Sequence, residues 1–556
     1  MKFDTKRPLI VQSDWTVLLE VHHPDYHKVR EGLAAFAELV KSPEHIHTYQ
    51  ITPLSLWNAA AMGLKVEEVI HFLRENGKFP LSVAFCKRIE DSFSRFGRIV
   101  LLQDEDRLLL KCNQQEFFTE LIHTEKLKNM IQIENGQFYI AAETRGWIKE
   151  ELIRLGWPVW DQVGFNDGEP LALHFRKRTR SGYDFQLRDY QQRAIEAYCT
   201  TEQNSHGVVV LPCGAGKTIV GLGVMERIGR ATLILTPHTT SVRQWIRELL
   251  DKTDLTESEI GEYSGDQKSV KPITVATYQI LTHRDSTGQF THMDLFNQRD
   301  WGLIVYDEVH LLPAPVFRAT ADLQAKRRLG LTATLVREDG REREVFSLIG
   351  PKRIEVPWKE LEERRWLAEA SCTEIRTGLS REDRIIYTDA AKKHKYRIAA
   401  ENPAKEELVQ KIIDRHQGDR ILVIGQYLRQ LKGLATRLQL PLLTGETHQD
   451  KREALFDAFR RGEVPILVVS KIANFAIDLP DASVAIQISG AFGSRQEEAQ
   501  RLGRILRPKS RGNHAYFYNL VSRDTIDQEY ALHRQRFLVE QGYPYQIVEE
   551  EQWGRA

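Results

Sequence analysis

The sequence is poor in cysteine and has no cysteine pair at metal-binding spacing. Its five cysteines, Cys86, Cys112, Cys199, Cys213 and Cys372, lie far apart. That pattern argues against zinc ribbons, iron–sulfur clusters and disulfide frameworks, and suits apolar fillers in a reducing compartment. There is no surplus of charge either: Lys plus Arg and Asp plus Glu stand at 77 each. Without a basic field over the whole molecule, any grip on a polyanion must be local. No apolar run approaches the ~20 residues of a membrane span, and the opening MKFDTKRPLIVQSDW has no apolar export core. Cytoplasm is the expected location. Repeats of solenoid period and low-complexity tracts are missing too. What remains is a chain of 556 residues, 42% hydrophobic and 28% charged, which is ordinary for a globular protein and long enough for several domains.

Start and stop signals divide the first 97 residues into short helices. Thr52-Pro53 offers a cap and a first-turn proline, Gly63 and Asn76-Gly77 end helices, and Pro80 to Gly97 bracket another. The expectation for 1–97 is a mainly helical domain, serving either packing and protein docking or helix-turn-helix contact with DNA. An α+β domain is expected over 98–175, where RIVLL and RLLLK flank an acidic turn and IQI and FYIA flank the hairpin dipeptide Asn135-Gly136. Its Trp147, Trp157 and Trp160 suit either a core or stacking on bases. The basic run Arg176 to Gly182 reads as a linker. Beyond it, apolar β-branched runs alternate with helical segments, predicting two consecutive α/β domains with parallel sheets over 176–356 and 357–545, then a tail over 546–556.

Within the first α/β domain, GVVVLPCGAGKT runs a strand straight into a glycine-rich turn that opens a helix. In the loop Pro212, Cys213, Gly214, Ala215 and Gly216, successive backbone N–H groups can face phosphate oxygens, and the helix dipole adds partial positive charge. Lys217 would reach the β and γ phosphates of ATP and Thr218 would ligate Mg2+. The usual first glycine of such a loop is Leu211 here. LIVYDEVH supplies the counterpart: Asp307 to hold magnesium through water, Glu308 to orient and deprotonate the attacking water, and His310 behind them. Upstream, Arg188 and Gln191 of FQLRDYQ are placed to contact adenine, by stacking and by the amide. Thr332 and Thr334 of LTATL sit after a predicted strand, placed to pass the nucleotide state onward. In the second α/β domain, QRLGRILRP sets Arg501, Arg504 and Arg507 on one helical face, beside Gln500, as fingers for phosphates held elsewhere.

The blocks LRDYQ, LPCGAGKT, ILTPHTTSVRQW, VATYQIL, DEVH, LTATL, ILVIGQYL, VVSKIANFAIDLPDAS and QRLGRILRP occur in this order. In that order they resemble superfamily 2 helicases. DEVH, the Arg337-Glu338-Asp339 triplet and the stretch through FAIDLPDASVAIQISGAFGSRQEEAQRLGRILRPK narrow the resemblance to the XPB type, in its shorter bacterial or archaeal form. The resemblance covers about 185 to 530 closely, and extends more loosely into the amino-terminal and damage-recognition-like regions. It implies two RecA-like motor domains, ATP and Mg2+ between them, and 3′ to 5′ movement on DNA in repair. It also implies that Arg337, Glu338 and Asp339 serve duplex opening, that Arg504 and Arg507 meet the γ phosphate, and that Asp478 couples DNA to nucleotide. Backbone phosphates would be met at Thr236, Thr277, Tyr278 and Thr444. A short thumb-like insertion would fall near 378–397, with Lys392, Lys393, Lys395 and Arg397. A nuclease or other repair protein is an expected partner, and no iron–sulfur cluster or membrane is expected. The alternatives are an ATP-switched remodelling or recruitment factor that tracks on DNA without separating strands, and the motor subunit of a restriction-type nuclease.

Overall fold

A computed structural model describes residues 4, 6–42, 45–104, 107–112, 127, 130–141, 144–163, 167–199, 206–212, 214–265, 267–285, 291–312, 327–333, 342–470, 482–490, 513–540, 543 and 545–553. They divide into two compact units, Met1–Leu211 with Gly216–Val356, and Pro212–Ala215 with Pro357–Ala556. Among the described residues no helix is long and apolar enough to cross a membrane.

The first unit begins with a sheet, in a region expected to be mainly helical. Strands Leu9–Val11, Thr16–Glu20, Ile46–Gln50 and Glu38–Lys41 pair antiparallel in that order, with helix Tyr26–Ala34 inserted before the last two in sequence. Helices still hold most of the ordered residues of 1–97, and this small sheet is the part the sequence did not show. Alternation is present, but the inward positions of IHTYQ are His47 and Tyr49, whose polar atoms disguise a period-two pattern. The three helices read from their signals follow, at Pro53–Ala61, Val66–Asn76 and Val83–Phe93. Thr52 and Ser82 cap the first and third, accepting from Ser55 N at 3.0 Å and Phe85 N at 3.1 Å.

A five-stranded sheet comes next, in the order Ile131–Glu134, Gln137–Ile140, Arg107–Cys112, Ile99–Asp104, Val159–Asp161, with helix Arg145–Arg154. Asn135 and Gly136 both take positive φ, 50° and 76°, as the tight hairpin requires. Trp157 lies in the core and Trp160 stacks on Phe96, while Trp147 is 40% exposed. The basic run after this sheet is pinned rather than free. Arg176 Nε donates to Thr253 O at 2.6 Å, Arg180 Nη2 to Leu255 O at 2.9 Å, and Ser181 N to Asp251 Oδ1 at 2.8 Å. The cations thus serve carbonyls at and beyond the carboxyl end of helix Thr239–Lys252, where positive charge is favoured.

The first α/β domain is a seven-stranded, wholly parallel sheet ordered Ile260–Tyr263, Ile273–Thr277, Thr232–Thr236, Leu303–Asp307, Arg327–Thr332, His206–Val210, Lys352–Glu355. Two features tie the amino-terminal modules to it. Phe346, on helix Glu342–Leu348, packs with Leu54, Trp57 and Ile153 and against Phe96. Beneath, Asp161 receives Arg145 at 2.8 Å and Lys149 at 2.7 Å, all three buried, and the buried Arg328 acts electrostatically on the same carboxylate.

The second unit carries another seven-stranded parallel sheet, ordered Leu442–Leu443, Ile466–Ser470, Ile421–Gly425, Val484–Gln487, His514–Ser522, Glu369–Thr377, Tyr545–Glu549. The last strand corrects the expected tail. Tyr545–Glu549 completes an edge, and helix Glu550–Trp553 lays Trp553 against Tyr518 at 6.0 Å. The segment 378–397 contains helix Arg381–Asp389 and most of helix Lys392–Ala400. The first of these buries no residue, whereas the second buries Tyr396. Of the cysteines, Cys86 and Cys372 are buried and Cys112 and Cys199 partly so, and Cys213 lies outside the described residues.

Candidate nucleotide-binding site

Parallel pairing brings the carboxyl ends of five strands to one edge. Val210 stands opposite Thr332, Asp307 opposite Leu331, and Thr236 opposite Thr277. Ligand sites in open α/β sheets form along such an edge. From it the loop turns into helix Lys217–Ile228, with Gly214 at φ 82° and Gly216 at φ 79°. A Cβ on Gly216 would stand 2.7 Å from the Gln191 amide nitrogen, and the left-handed torsion is what favours glycine there. Gln191 Oε1 in turn accepts from Arg188 N at 3.0 Å. The two expected adenine contacts are thus adjacent to each other and to the loop.

Asp307 ends its strand, and the chain then turns sharply: Glu308 adopts φ 48° and ψ 55°. That left-handed backbone is uncommon for a glutamate. It returns the side chain to the first turn of helix Lys217–Ile228, where Lys217 Nζ is paired with Glu308 Oε1. His310 is buried and lies 2.7 Å from the Thr332 hydroxyl and 3.6 Å from Glu308 Oε2. Asp307 Oδ2 accepts from the Trp245 indole at 2.9 Å, and the Asp307 carbonyl accepts from the Tyr278 hydroxyl at 2.8 Å. Burial, with the Glu308 charge added, pushes the Asp307 carboxyl up to about 6. Burial also raises Glu308, but Lys217 and His310 outweigh it and hold that carboxyl below its ordinary value. Glu308 Oε2 is buried without a hydrogen-bond partner among the described residues. A glycine-lined turn, a lysine on the first turn of a twelve-residue helix, two adjacent carboxylates and an unsatisfied carboxylate oxygen form a donor set suited to a magnesium-bound triphosphate.

Residues 184–337 match the family described as type III restriction enzyme, res subunit, and residues 9–135 one described as helicase conserved C-terminal domain. Residues 361–554 match the ERCC3/RAD25/XPB C-terminal helicase. The DNA 3'-5' helicase XPB of Mycobacterium tuberculosis is 50% identical to this chain, covering 98% of each. The chain belongs to the XPB helicase family. Among XPB relatives, the general transcription and DNA repair factor IIH helicase/translocase subunit XPB/SSL2 of Saccharomyces cerevisiae is 30% identical over 98% of this chain and 72% of its own. A DNA-bound type ISP restriction-modification enzyme, LlaBIII, shares the fold at TM-score 0.50 and 14% identity, over 67% of this chain and 32% of its own.

Not every residue singled out in the sequence reaches a surface. Thr236, Thr277, Tyr278 and Thr444 are all buried. Thr236 Oγ1 donates to His238 O, Thr277 Oγ1 accepts from Ile280 N, and Thr444 Oγ1 accepts from Glu446 N. The three threonine hydroxyls are thus engaged in their local turns and the Tyr278 hydroxyl on the Asp307 carbonyl. The exposed neighbours His238, Thr239, Thr240, Arg243 and Gln279 carry the accessible chemistry of the first two loops. Thr334, Arg337, Glu338, Asp339, Asp478, Gln500, Arg504 and Arg507 lie outside the described residues. Sequence reasoning did not single out Trp245. It stands inside the quoted ILTPHTTSVRQW block, and only the fold reveals its partner.

Proposed function

We infer that this chain is an ATP-driven DNA helicase of the XPB family, moving 3′ to 5′ in the service of DNA repair. The observation that carries the reading is the Lys217–Glu308 pair beside the buried Asp307, at the edge where the glycine turn opens its helix. Lys217 leaves Glu308 for the β and γ phosphates when nucleotide enters, which frees the carboxylate to accept a proton from the attacking water. Thr218 and Asp307 would hold Mg2+, Asp307 partly through water. Bound there, the ion neutralises phosphate charge as the γ-phosphoryl group transfers. Gln191 and Arg188 bind the adenine end. His310 and Thr332 bridge the acidic strand end to the neighbouring strand, so a shift of one is felt by the other.

The second α/β domain contributes Gln500, Arg504 and Arg507 to the phosphates and Asp478 to coupling, and Arg337, Glu338 and Asp339 act at the point of duplex opening. Lys217→Ala is expected to reduce DNA-stimulated ATP hydrolysis at least about 100-fold, with an unchanged circular dichroism spectrum. Undiminished turnover would overturn the assignment. Hydrolysis measured side by side with duplex DNA, single-stranded DNA and RNA tests the substrate: stimulation by DNA above RNA is expected, and strand displacement on a 3′-tailed duplex tests the direction.

A further inference from the structure

Asp307 is gripped by two buried aromatic side chains from separate elements. Trp245, on helix Thr239–Lys252, donates its indole N–H to Oδ2 at 2.9 Å; Tyr278, which opens helix Tyr278–Leu281, donates its hydroxyl to the main-chain carbonyl at 2.8 Å. Trp245 is 1% exposed and Tyr278 3%, so each polar atom needs a partner inside the protein. Other buried indoles of this chain find theirs on the backbone: Trp57 on Ser92 O at 3.0 Å and Trp301 on Leu295 O at 3.1 Å. Trp245 is directed instead to a carboxylate whose charge already suffers from burial.

The indole also has a made place. A Cβ on Gly221, one turn beyond Lys217, would lie 2.5 Å from Trp245 Cη2. Trp245 therefore touches the helix that carries Lys217 and, through its N–H, the strand end that carries Asp307. The opposite, exposed side of its own helix begins with Thr239, Thr240 and Arg243. Tyr278 repeats the arrangement from the adjacent strand, with Gln279 exposed beside it.

We propose that Trp245 and Tyr278 are positioning residues for the magnesium-holding carboxylate, Trp245 fixing the rotation of the Asp307 side chain and Tyr278 the main chain that carries it, and that both transmit to it any displacement of the two exposed elements by a DNA strand. This rests on the reading of Asp307 as the group that holds the ion. A donor on Oδ2 leaves Oδ1 to face the metal or its water, and partners of this kind are worth roughly 10-fold or more in metal affinity. Because hydrogen bonds weaken steeply as they lengthen, movement of helix Thr239–Lys252 by a fraction of its 2.9 Å contact loosens the carboxylate. Occupancy of the exposed face thereby becomes a setting of the ATP site.

The test uses Trp245→Phe and Tyr278→Phe in the full chain, each removing a donor while keeping a ring. Binding of a fluorescent ADP analogue is titrated with Mg2+. The half-saturating Mg2+ concentration is expected to rise about 10-fold in Trp245→Phe and about 3-fold in Tyr278→Phe. The kcat for DNA-saturated hydrolysis should fall by a similar factor in each, with KM for ATP and DNA affinity unchanged. A purely structural role would lower the thermal midpoint without moving the Mg2+ dependence, and that result overturns the proposal. If Trp245→Phe fails to fold, Tyr278→Phe alone decides, since it removes only the hydroxyl and keeps the ring in place. Asp307→Asn distinguishes the two levels. If it leaves the Mg2+ dependence untouched, the site reading itself fails; if it abolishes that dependence while both aromatic variants behave as the parent, only the positioning role fails.

Discussion

His47 is held neutral in the amino-terminal sheet, its Nδ1 3.0 Å from the Tyr26 hydroxyl. Burial, and to a smaller degree the Arg30 charge, push it down to about 4 from an ordinary 6.5. A histidine lowered in this way contributes stability above its unfolded value, and that contribution is lost as pH falls toward the folded one. At ~1.4 kcal/mol per unit of pKa difference, about 3 kcal/mol disappears between pH 6.5 and 4. His47→Gln should flatten this stretch of the urea-stability profile while leaving the site chemistry alone. At the candidate site, the meeting of three side chains could be anticipated from the sequence. Lys217, Asp307 and Glu308 announce themselves because a strand, a tight turn and a helix start are local patterns. Trp245 and the His310–Thr332 bond could not, because each joins segments tens of residues apart whose meeting is set by strand order. The bonds of Thr236, Thr277 and Thr444 within their own turns were equally hidden: a hydroxyl at a strand end looks the same in sequence whether it faces solvent or closes a turn.

Helix Lys217–Ile228 illustrates how an element is tuned by what it omits. Gly221 and Gly223 cost intrinsic helix stability, yet Cβ atoms there would strike Trp245 at 2.5 Å and Ile195 at 2.2 Å. Gly221→Ala is therefore expected to destabilise by about 2 kcal/mol, despite alanine being the better helix former, because the rigid indole has no free rotation to give. Equilibrium unfolding in urea measures it, and a gain in stability would show that the ring has slack. Helix boundaries at Thr52 and Ser82, and the Asn135-Gly136 hairpin, could be read from capping and turn chemistry. The four-stranded amino-terminal sheet and the edge strand Tyr545–Glu549 escaped, since strands of three to five residues with His, Tyr and Gln on them carry little hydrophobic contrast.

At the scale of the molecule, the two parallel sheets follow from alternating β-branched runs and helices, so the α/β architecture was visible before any coordinates. How the amino-terminal modules are attached was not, because a junction is written in scattered single residues. Phe346 fills the meeting point of Trp57, Ile153 and Phe96. Phe346→Ala should cost about 3 kcal/mol, detected as a lower urea midpoint and faster proteolysis within the first 163 residues. An unchanged midpoint would mean that those modules are held by other contacts.

The same junction limits how the protein can be trimmed. A shortened version starting near residue 185, chosen to keep only the two parallel-sheet halves, would bare the Phe346 face to water and take away Asp161, the carboxylate that offsets the buried charge of Arg328. Such a fragment is expected to unfold at lower urea than the full chain, so any loss of activity in it reports the broken junction first.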